Sequence, residues 1–94
     1  MIRVTVLYPS GEGSAFDHDY YRDTHVPMAL AAFGLESAQV DRGVDGPYMA
    51  GVHFLFDGVE QMQTAMASPG VPAVMADIAN FTNVAPVMQV SETA

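Results

Sequence analysis

The chain has no cysteine and only three Lys or Arg residues among its 94, against eleven Asp or Glu. Without cysteine it can form no disulfide and can present no thiolate nucleophile, which fits a reducing compartment. The formal net charge of −8 argues against nucleic acid and anionic membranes as partners, because binding to either depends on cationic side chains. We therefore predict a protein that binds neither.

Long apolar runs are also missing. The first residues, MIRVTVLYP, lack the apolar stretch of a signal peptide, and no segment reaches the length of a membrane span. These features predict a cytoplasmic protein. At 94 residues the chain is expected to form one domain, residues 1–94, whose small core would gain from association with a second copy.

The signatures of several enzyme classes are absent as well. No serine stands in a G-x-S-x-G elbow, and Gly11-Glu12-Gly13 is followed by neither a third glycine nor a lysine, so we predict no nucleotide cofactor. There is no H-E-x-x-H motif. One helix would hold His18 about 10 Å from His25, too far for both to bind one zinc ion, so we predict no metal.

The chain does contain a regular order of secondary-structure signals. Apolar alternation and turn residues predict strands over 2–8, 35–42, 49–56 and 84–90. Helices are predicted over 16–33, ended by Gly34, and in two pieces on either side of 68–70. Pro27 lies inside the first helix, where it removes a backbone donor, so we expect a kink or break near His25.

The order βαββαβ predicts a ferredoxin-like α+β sandwich with its helices on one face of a four-stranded sheet. In the third strand, one face carries Ala50, Val52, Phe54 and Phe56, yet apolar residues also flank His53 on the other. A sheet that is apolar on both faces is expected to be covered on both. We therefore predict a homodimer in which two sheets pack face to face.

The segment FDHDYYRDTHVPM, residues 16–28, holds the main candidates for chemistry. The imidazole of His25 can accept a proton near neutral pH, because its ordinary pKa is about 6.5. Tyr21 lies one turn earlier on the same helical face, where its phenol can orient a ligand or stabilise an oxyanion. The alternative, which spacing alone favours, is that His25 hydrogen-bonds within the core and the tyrosines pack.

Three further residues are candidates for the wall of a ligand cleft: Tyr20, Met28 and His53. Methionine side chains fill cores and also make adaptable pockets. Because the sequence does not determine which face of its strand His53 occupies, this residue could instead pack at the dimer interface.

The downstream segment DIANFTN, residues 77–83, ends the last predicted helix. Phe81 is expected to anchor the core. Asp77, Asn80 and Asn83 are expected to cap helix ends and to tie the turn to the final strand. We assign these three residues a structural role rather than a catalytic one.

A family resemblance rests on three segments: LYPSGEGSAFDHDYYRDTHVPM, MADIANFTN and PVMQVSE. Together they resemble the EthD family, which takes its name from a bacterial locus for ethyl tert-butyl ether degradation. The resemblance extends from Val4 to Glu92. Its most specific part is the arrangement FD-x-x-YY-x-x-x-H-x-P with NFTN downstream.

Members of this family look like dimeric α+β barrels, in which the ligand cleft lies between each sheet and its own helices. The resemblance thus implies that His25, which matches the motif histidine, lies at the cleft. It does not imply one reaction, because related barrels include cofactor-free oxygenases, polyketide cyclases, decarboxylases and isomerases of small apolar molecules. A reductase is disfavoured here, because the chain has no hydride-cofactor fingerprint and no redox cysteine.

Two functions follow. The first is a cofactor-independent proton-transfer enzyme on a small apolar aromatic or carbonyl compound in a catabolic or secondary-metabolic pathway. His25 would be its general base, Tyr21 the oxyanion donor, and Tyr20 or His53 part of the cleft wall. The second is a non-catalytic binding or accessory protein for a hydrophobic metabolite or an oxygenase system, in which His25 and Tyr21 only orient the ligand. We favour the first, because a histidine and tyrosines are expected to share one cleft.

Overall fold

The computed structural model describes all residues 1–94 and contains four strands and four α-helices. The strands are β1 (Ile2–Pro9), β2 (Gln39–Arg42), β3 (Tyr48–Phe56) and β4 (Val87–Glu92). The helices are α1 (His18–Tyr20), α2 (Val26–Phe33), α3 (Val59–Met66) and α4 (Val71–Asp77). A π-helical turn, Tyr21–His25, joins α1 to α2, and a 3₁₀ turn, Ile78–Asn80, follows α4.

The four strands form one antiparallel sheet in the order β2-β3-β1-β4. Along the chain, the helical segments and strands follow the order βαββαβ. The predicted ferredoxin-like α+β fold is therefore confirmed. No helix is long and apolar enough to cross a membrane.

The core lies between the sheet and the helices. Alternate residues of the two central strands point into it, so that Val4 faces the core beside its partner Phe54, and Ile2 beside Phe56. Phe33 of α2 packs edge-to-face on Phe54, with ring centroids 5.0 Å apart. Ala50, Val52, Phe54 and Phe56 are therefore the inward face of β3, which the sequence left undetermined.

The opposite side of the sheet carries no helix. We call it the open face, and its central residues are Thr5, Leu7, Gly51, His53 and Leu55. A Cβ at Gly51 would lie 2.8 Å from a methyl group of Leu7, so a larger residue here would require the Leu7 side chain to shift. Leu55 is exposed. The open face thus mixes apolar and polar side chains, as the sequence indicated for β3.

The irregularity expected before Pro27 is present as the π turn. The Val26 N–H donates to the carbonyl of Tyr21, five residues earlier, and Pro27 then occupies the first turn of α2, where its missing N–H leaves no gap. Gly34 ends α2 in the left-handed conformation, with φ of 71°. The expected irregularity near His25 is thus present as a π turn, and the predicted helix end at Gly34 is confirmed.

Two strands have ends that differ from prediction by more than one residue. β2 begins at Gln39 rather than at residue 35, because residues after the Gly34 cap turn Leu35 and Ala38 towards the core before pairing starts. β4 begins at Val87 rather than at residue 84 and continues to Glu92.

Candidate functional site

The last residue of the π turn, His25, is buried against aromatic rings. Its imidazole stacks on Tyr21, with centroids 5.7 Å apart and planes 16° apart, and lies 4.4 Å from the ring of Phe81. Its Nδ1 lies 2.9 Å from Oδ2 of Asp77. π turns interrupt a regular helix and are frequent at functional sites, and here the turn carries His25 towards α4.

Asp77 ends α4 and accepts three hydrogen bonds. Its Oδ1 accepts from the Tyr20 hydroxyl at 2.6 Å and from the Asn80 amide at 2.9 Å, while Oδ2 accepts from His25. Burial alone would raise the pKa of Asp77, but the hydrogen bonds from Tyr20, Asn80 and His25 outweigh burial and hold this pKa below its ordinary value. The carboxylate is therefore ionised at neutral pH.

Hydrogen bonds between two segments that are distant in sequence fix the surroundings of the His25–Asp77 pair. Ala15 N–H donates to the Asn83 side chain at 2.9 Å, and the Thr82 hydroxyl donates to the Ala15 carbonyl at 2.7 Å. Asp17 N–H donates to the Phe81 carbonyl at 2.8 Å. The segment after α4 is thus fixed to the loop before α1. Asn83 was expected to link the turn to the final strand, but its side chain hydrogen-bonds to this loop instead.

The hydrogen bond to Asp77 determines which nitrogen of His25 is basic. A carboxylate only accepts, so Nδ1 carries the proton and Nε2 bears the lone pair. Nε2 has no hydrogen-bond partner within the protein, and His25 lines a cavity. Burial lowers the pKa of His25, and the hydrogen bond and charge of Asp77 only partly oppose this effect. The imidazole is therefore a neutral base at pH 7.

The cavity lies between the sheet and α2 and α4. Its walls are almost wholly apolar, and its volume is about 50 Å³. This is far below the ~300–1,000 Å³ of typical small-molecule sites. Met75 and Met88 line it and are each about half exposed, so these flexible side chains can move to enlarge it.

Among the predicted site residues, Tyr20 and Tyr21 both lie next to His25, but neither lines the cavity. Tyr20 joins the network through Asp77. Tyr21 is only 1% exposed, and its hydroxyl is buried without a hydrogen-bond partner. Burial raises the pKa of the Tyr21 phenol strongly, so it stays protonated.

The other two predicted cleft residues lie elsewhere. Met28 packs against the core on α2, outside the cavity lining. His53 projects onto the open face, because it alternates with the inward-facing Val52 and Phe54 of β3. There Nδ1 lies 2.9 Å from the Thr5 hydroxyl and Nε2 lies 3.0 Å from Asp41, so the structure does not bring His53 and His25 together.

Sequence reasoning missed two residues. Asp77 was expected only to cap a helix, although a carboxylate inside an apolar helical stretch needs a buried partner, and this need was an available signal. Tyr8 was treated only as a strand residue, yet it lines the cavity with His25. Nothing in the strand pattern distinguishes Tyr8 from a packing residue. No three His, Asp or Glu side chains are grouped closely enough to hold a metal ion.

Comparison with known proteins adds the family. The model of the EthD domain matches residues 10–85. The chain belongs to the EthD family. Within it, an EthD-like protein from Ralstonia eutropha is 39% identical and superposes with a TM-score of 0.87, covering 97% of this chain and 89% of that one.

Two more distant structures share the fold of this EthD-family protein. A dimeric ferredoxin-like protein of unknown function from Thermobifida fusca is 19% identical, with a TM-score of 0.64, over 98% of this chain and 90% of that one. SnoaB, a cofactor-independent oxygenase from Streptomyces nogalater, is 11% identical, with a TM-score of 0.69, over 98% and 90%. No curated protein gives a significant match.

Proposed function

We propose that this EthD-family protein is a cofactor-independent proton-transfer enzyme that acts on a small apolar aromatic or carbonyl compound, with His25 as its general base. One observation carries the proposal. The Nδ1–H of His25 is held by a buried carboxylate, while Nε2 has no partner and its ring lines an apolar cavity. This is the geometry that a positioned neutral base requires.

In the proposed step, Nε2 takes a proton from an activated C–H or O–H of the ligand. The electron pair of the broken bond stays on the ligand as an enolate or phenolate. His25 becomes an imidazolium, whose charge Asp77 balances across 2.9 Å. Return of the proton to another ligand atom completes an isomerisation and restores the base, so no redox partner is needed.

The tyrosines receive supporting roles in this proposal. Tyr20 holds Asp77 through a hydrogen bond of 2.6 Å, and Tyr21 fixes the plane of the imidazole by stacking on it. Both are positioning residues. The cavity lining supports a small apolar ligand, which would enter by displacing Met75 and Met88.

We also propose a homodimer formed through the open face. The distant relative from Thermobifida fusca is dimeric, and the open face leaves Leu55 and Val87 exposed. Pairing two such faces would remove this apolar surface from water. Size-exclusion chromatography with light scattering is expected to give twice the mass of one chain. A mass of 10.0 kDa at micromolar concentration would contradict the dimer.

The proposed function is tested by a thermal-shift screen of the wild type, His25→Ala and His53→Ala with small phenols, aromatic acids and ketones. Ligand at about 100 times its dissociation constant adds ~2.7 kcal/mol to the free energy of unfolding. We expect hits that His25→Ala weakens and His53→Ala does not. Each hit is then incubated with protein and analysed for conversion. Hits whose thermal shift is unchanged in His25→Ala would show that the ligand binds elsewhere.

The alternative is a non-catalytic binding protein for a hydrophobic metabolite. The half-exposed methionines Met75 and Met88 favour it, because they give the cavity the adaptable apolar wall of a binding site. In that case a ligand is recovered unchanged after incubation. His25→Ala would then weaken binding by only about 1 kcal/mol, the value of one neutral hydrogen bond.

A further inference from the structure

A second polar side chain reaches the cavity of His25. Among the residues that line it, only His25 and Tyr8 carry nitrogen or oxygen in their side chains. Tyr8 comes from the centre of the sheet, on β1, whereas His25 comes from the helical layer. The cavity is therefore lined by one histidine and one tyrosine, supplied from two different layers of the fold.

The Tyr8 hydroxyl makes no hydrogen bond within the protein. The Tyr21 hydroxyl is the only fully buried side-chain N or O atom that lacks a hydrogen-bond partner. The Tyr8 hydroxyl is not in this class, so it keeps some accessible surface, although the residue as a whole is 1% exposed. Tyr8 is also one of the residues that line the cavity, so we take its unbonded hydroxyl to be available to a ligand there.

Burial also keeps this hydroxyl a donor. It raises the pKa of Tyr8 to about 12, so the phenol is protonated throughout the physiological range. The ring is fixed by edge-to-face contacts with Phe16 at 5.2 Å and Phe81 at 5.6 Å. A fixed, protonated donor in a site with little water is the arrangement that stabilises a developing oxyanion.

We infer that Tyr8 is the oxyanion donor of this site, and that the ligand carries an acceptor oxygen, as a ketone, ester or phenol does, next to the proton that His25 removes. This inference rests on the proposed function and specifies its substrate class. As Nε2 takes the proton, negative charge moves to the ligand oxygen, which accepts a hydrogen bond from the Tyr8 hydroxyl. Tyr8 keeps its proton throughout. A hydrocarbon without oxygen leaves this donor unpaired and is a poor ligand.

Tyr21→Phe provides a matched control for Tyr8→Phe, because phenylalanine keeps the ring that stacks on His25. Both tyrosines are 1% exposed, belong to one aromatic cluster and carry hydroxyls without protein partners, but only Tyr8 lines the cavity. Neither substitution removes a hydrogen bond within the protein, so both variants are expected to fold. A difference between them in ligand binding isolates the cavity hydroxyl.

The probes are cyclohexanone and phenol, which carry an acceptor oxygen, and benzene, which does not. Binding is followed by NMR through the methyl groups of Val52 and Val74, which line the cavity. We expect the wild type and Tyr21→Phe to bind the oxygen-bearing probes more tightly than benzene, and Tyr8→Phe to lose this preference by roughly tenfold.

The inference is overturned by equal effects of the two substitutions, or by no preference for oxygen in the wild type. His25→Ala separates this inference from the proposed function. If His25→Ala abolishes conversion of a ligand while Tyr8→Phe leaves binding and conversion intact, only the Tyr8 assignment fails. If none of the three probes perturbs the cavity methyl groups, the ligand site itself is wrong and both fall.

Discussion

Two histidine–aspartate pairs occur in this small domain, on opposite faces of one sheet. In the His25–Asp77 pair the bond is 2.9 Å long and the side chains are 7% and 9% exposed. In the His53–Asp41 pair the bond is 3.0 Å long and the side chains are 29% and 51% exposed. Similar bond lengths thus occur in very different surroundings.

The two pairs differ most in what remains free on each ring. In the His53–Asp41 pair, Thr5 engages the second nitrogen, so neither nitrogen of His53 is available to a ligand. In the His25–Asp77 pair, the second nitrogen of His25 has no partner. A histidine–aspartate hydrogen bond therefore does not by itself indicate a catalytic base. What distinguishes the proposed base is its unoccupied nitrogen.

The largest expected effect separates the two histidines. His25→Ala removes the proposed base and should lower turnover of a substrate by about 10²- to 10⁴-fold, the usual value of one positioned proton transfer. His53→Ala should leave turnover within a fewfold of the wild type. Steady-state kinetics on both variants, with circular dichroism to confirm folding, makes the comparison. Equal losses in the two variants would contradict the assignment of the base.

The next largest effect on turnover should distinguish Asp77 from Asp41. In Asp77→Asn, the amide can donate to Nδ1 and so shift the proton of His25 to Nε2, the nitrogen that must act as the base. We expect a loss of turnover on the order of 10²-fold, as when a tautomer-fixing carboxylate is replaced elsewhere. Asp41→Asn is the matched control and should be nearly neutral. A control that loses as much as Asp77→Asn would show that both pairs act in the reaction.

A smaller effect is expected on the stability of the protein when the tyrosines around His25 are replaced. Tyr20→Phe removes a donor to the Asp77 carboxylate and should lower the free energy of unfolding. Tyr21→Phe removes a buried hydroxyl that has no partner, and should raise this free energy by about 1 kcal/mol. Denaturant unfolding measures both. Destabilisation by Tyr21→Phe would mean that its hydroxyl has a partner in solution.

The smallest expected effect is the pH dependence of stability. Burial lowers the pKa of His25 in the folded protein, so the unfolded chain binds a proton first, and stability falls as the pH drops below about 6.5. The lowered pKa of Asp77 acts in the same direction at more acid pH, since its contribution is lost as pH falls through that value.

Replacing His25 shows how much this residue contributes to the pH dependence of stability. His25→Gln has no titrating group at this position, so its melting temperature should fall less steeply between pH 6.5 and pH 5 than that of the wild type. His53→Gln is the control on the other face. Parallel curves for the wild type and His25→Gln would show that burial does not depress the pKa of His25.

The fold was predictable because each of its signals is local. Alternation in β1, the helix end at Gly34 and the irregularity before Pro27 each depend on neighbouring residues, and the structure confirms all of them. The start of β2 was not predictable, since it depends on where pairing with β3 begins.

The candidate site was predictable only in part. His25 stood out as a histidine in a motif, but its partner Asp77 lies 52 residues away, and no local pattern joins them. The face of His53 was also undetermined, because β3 is apolar on both sides. Tyr8 reads as one more inward strand residue, and only the packing of its neighbours shows that its hydroxyl is left free.

The central claim is tested most directly by the tautomers of the two histidines, read from long-range ¹H–¹⁵N NMR of the imidazole rings at neutral pH. Asp77 holds the proton of His25 on Nδ1, whereas Asp41 holds that of His53 on Nε2. We therefore predict opposite tautomers in one spectrum, with Nε2 of His25 unprotonated. A proton on Nε2 of His25, or a ring protonated on both nitrogens, would contradict its role as the base.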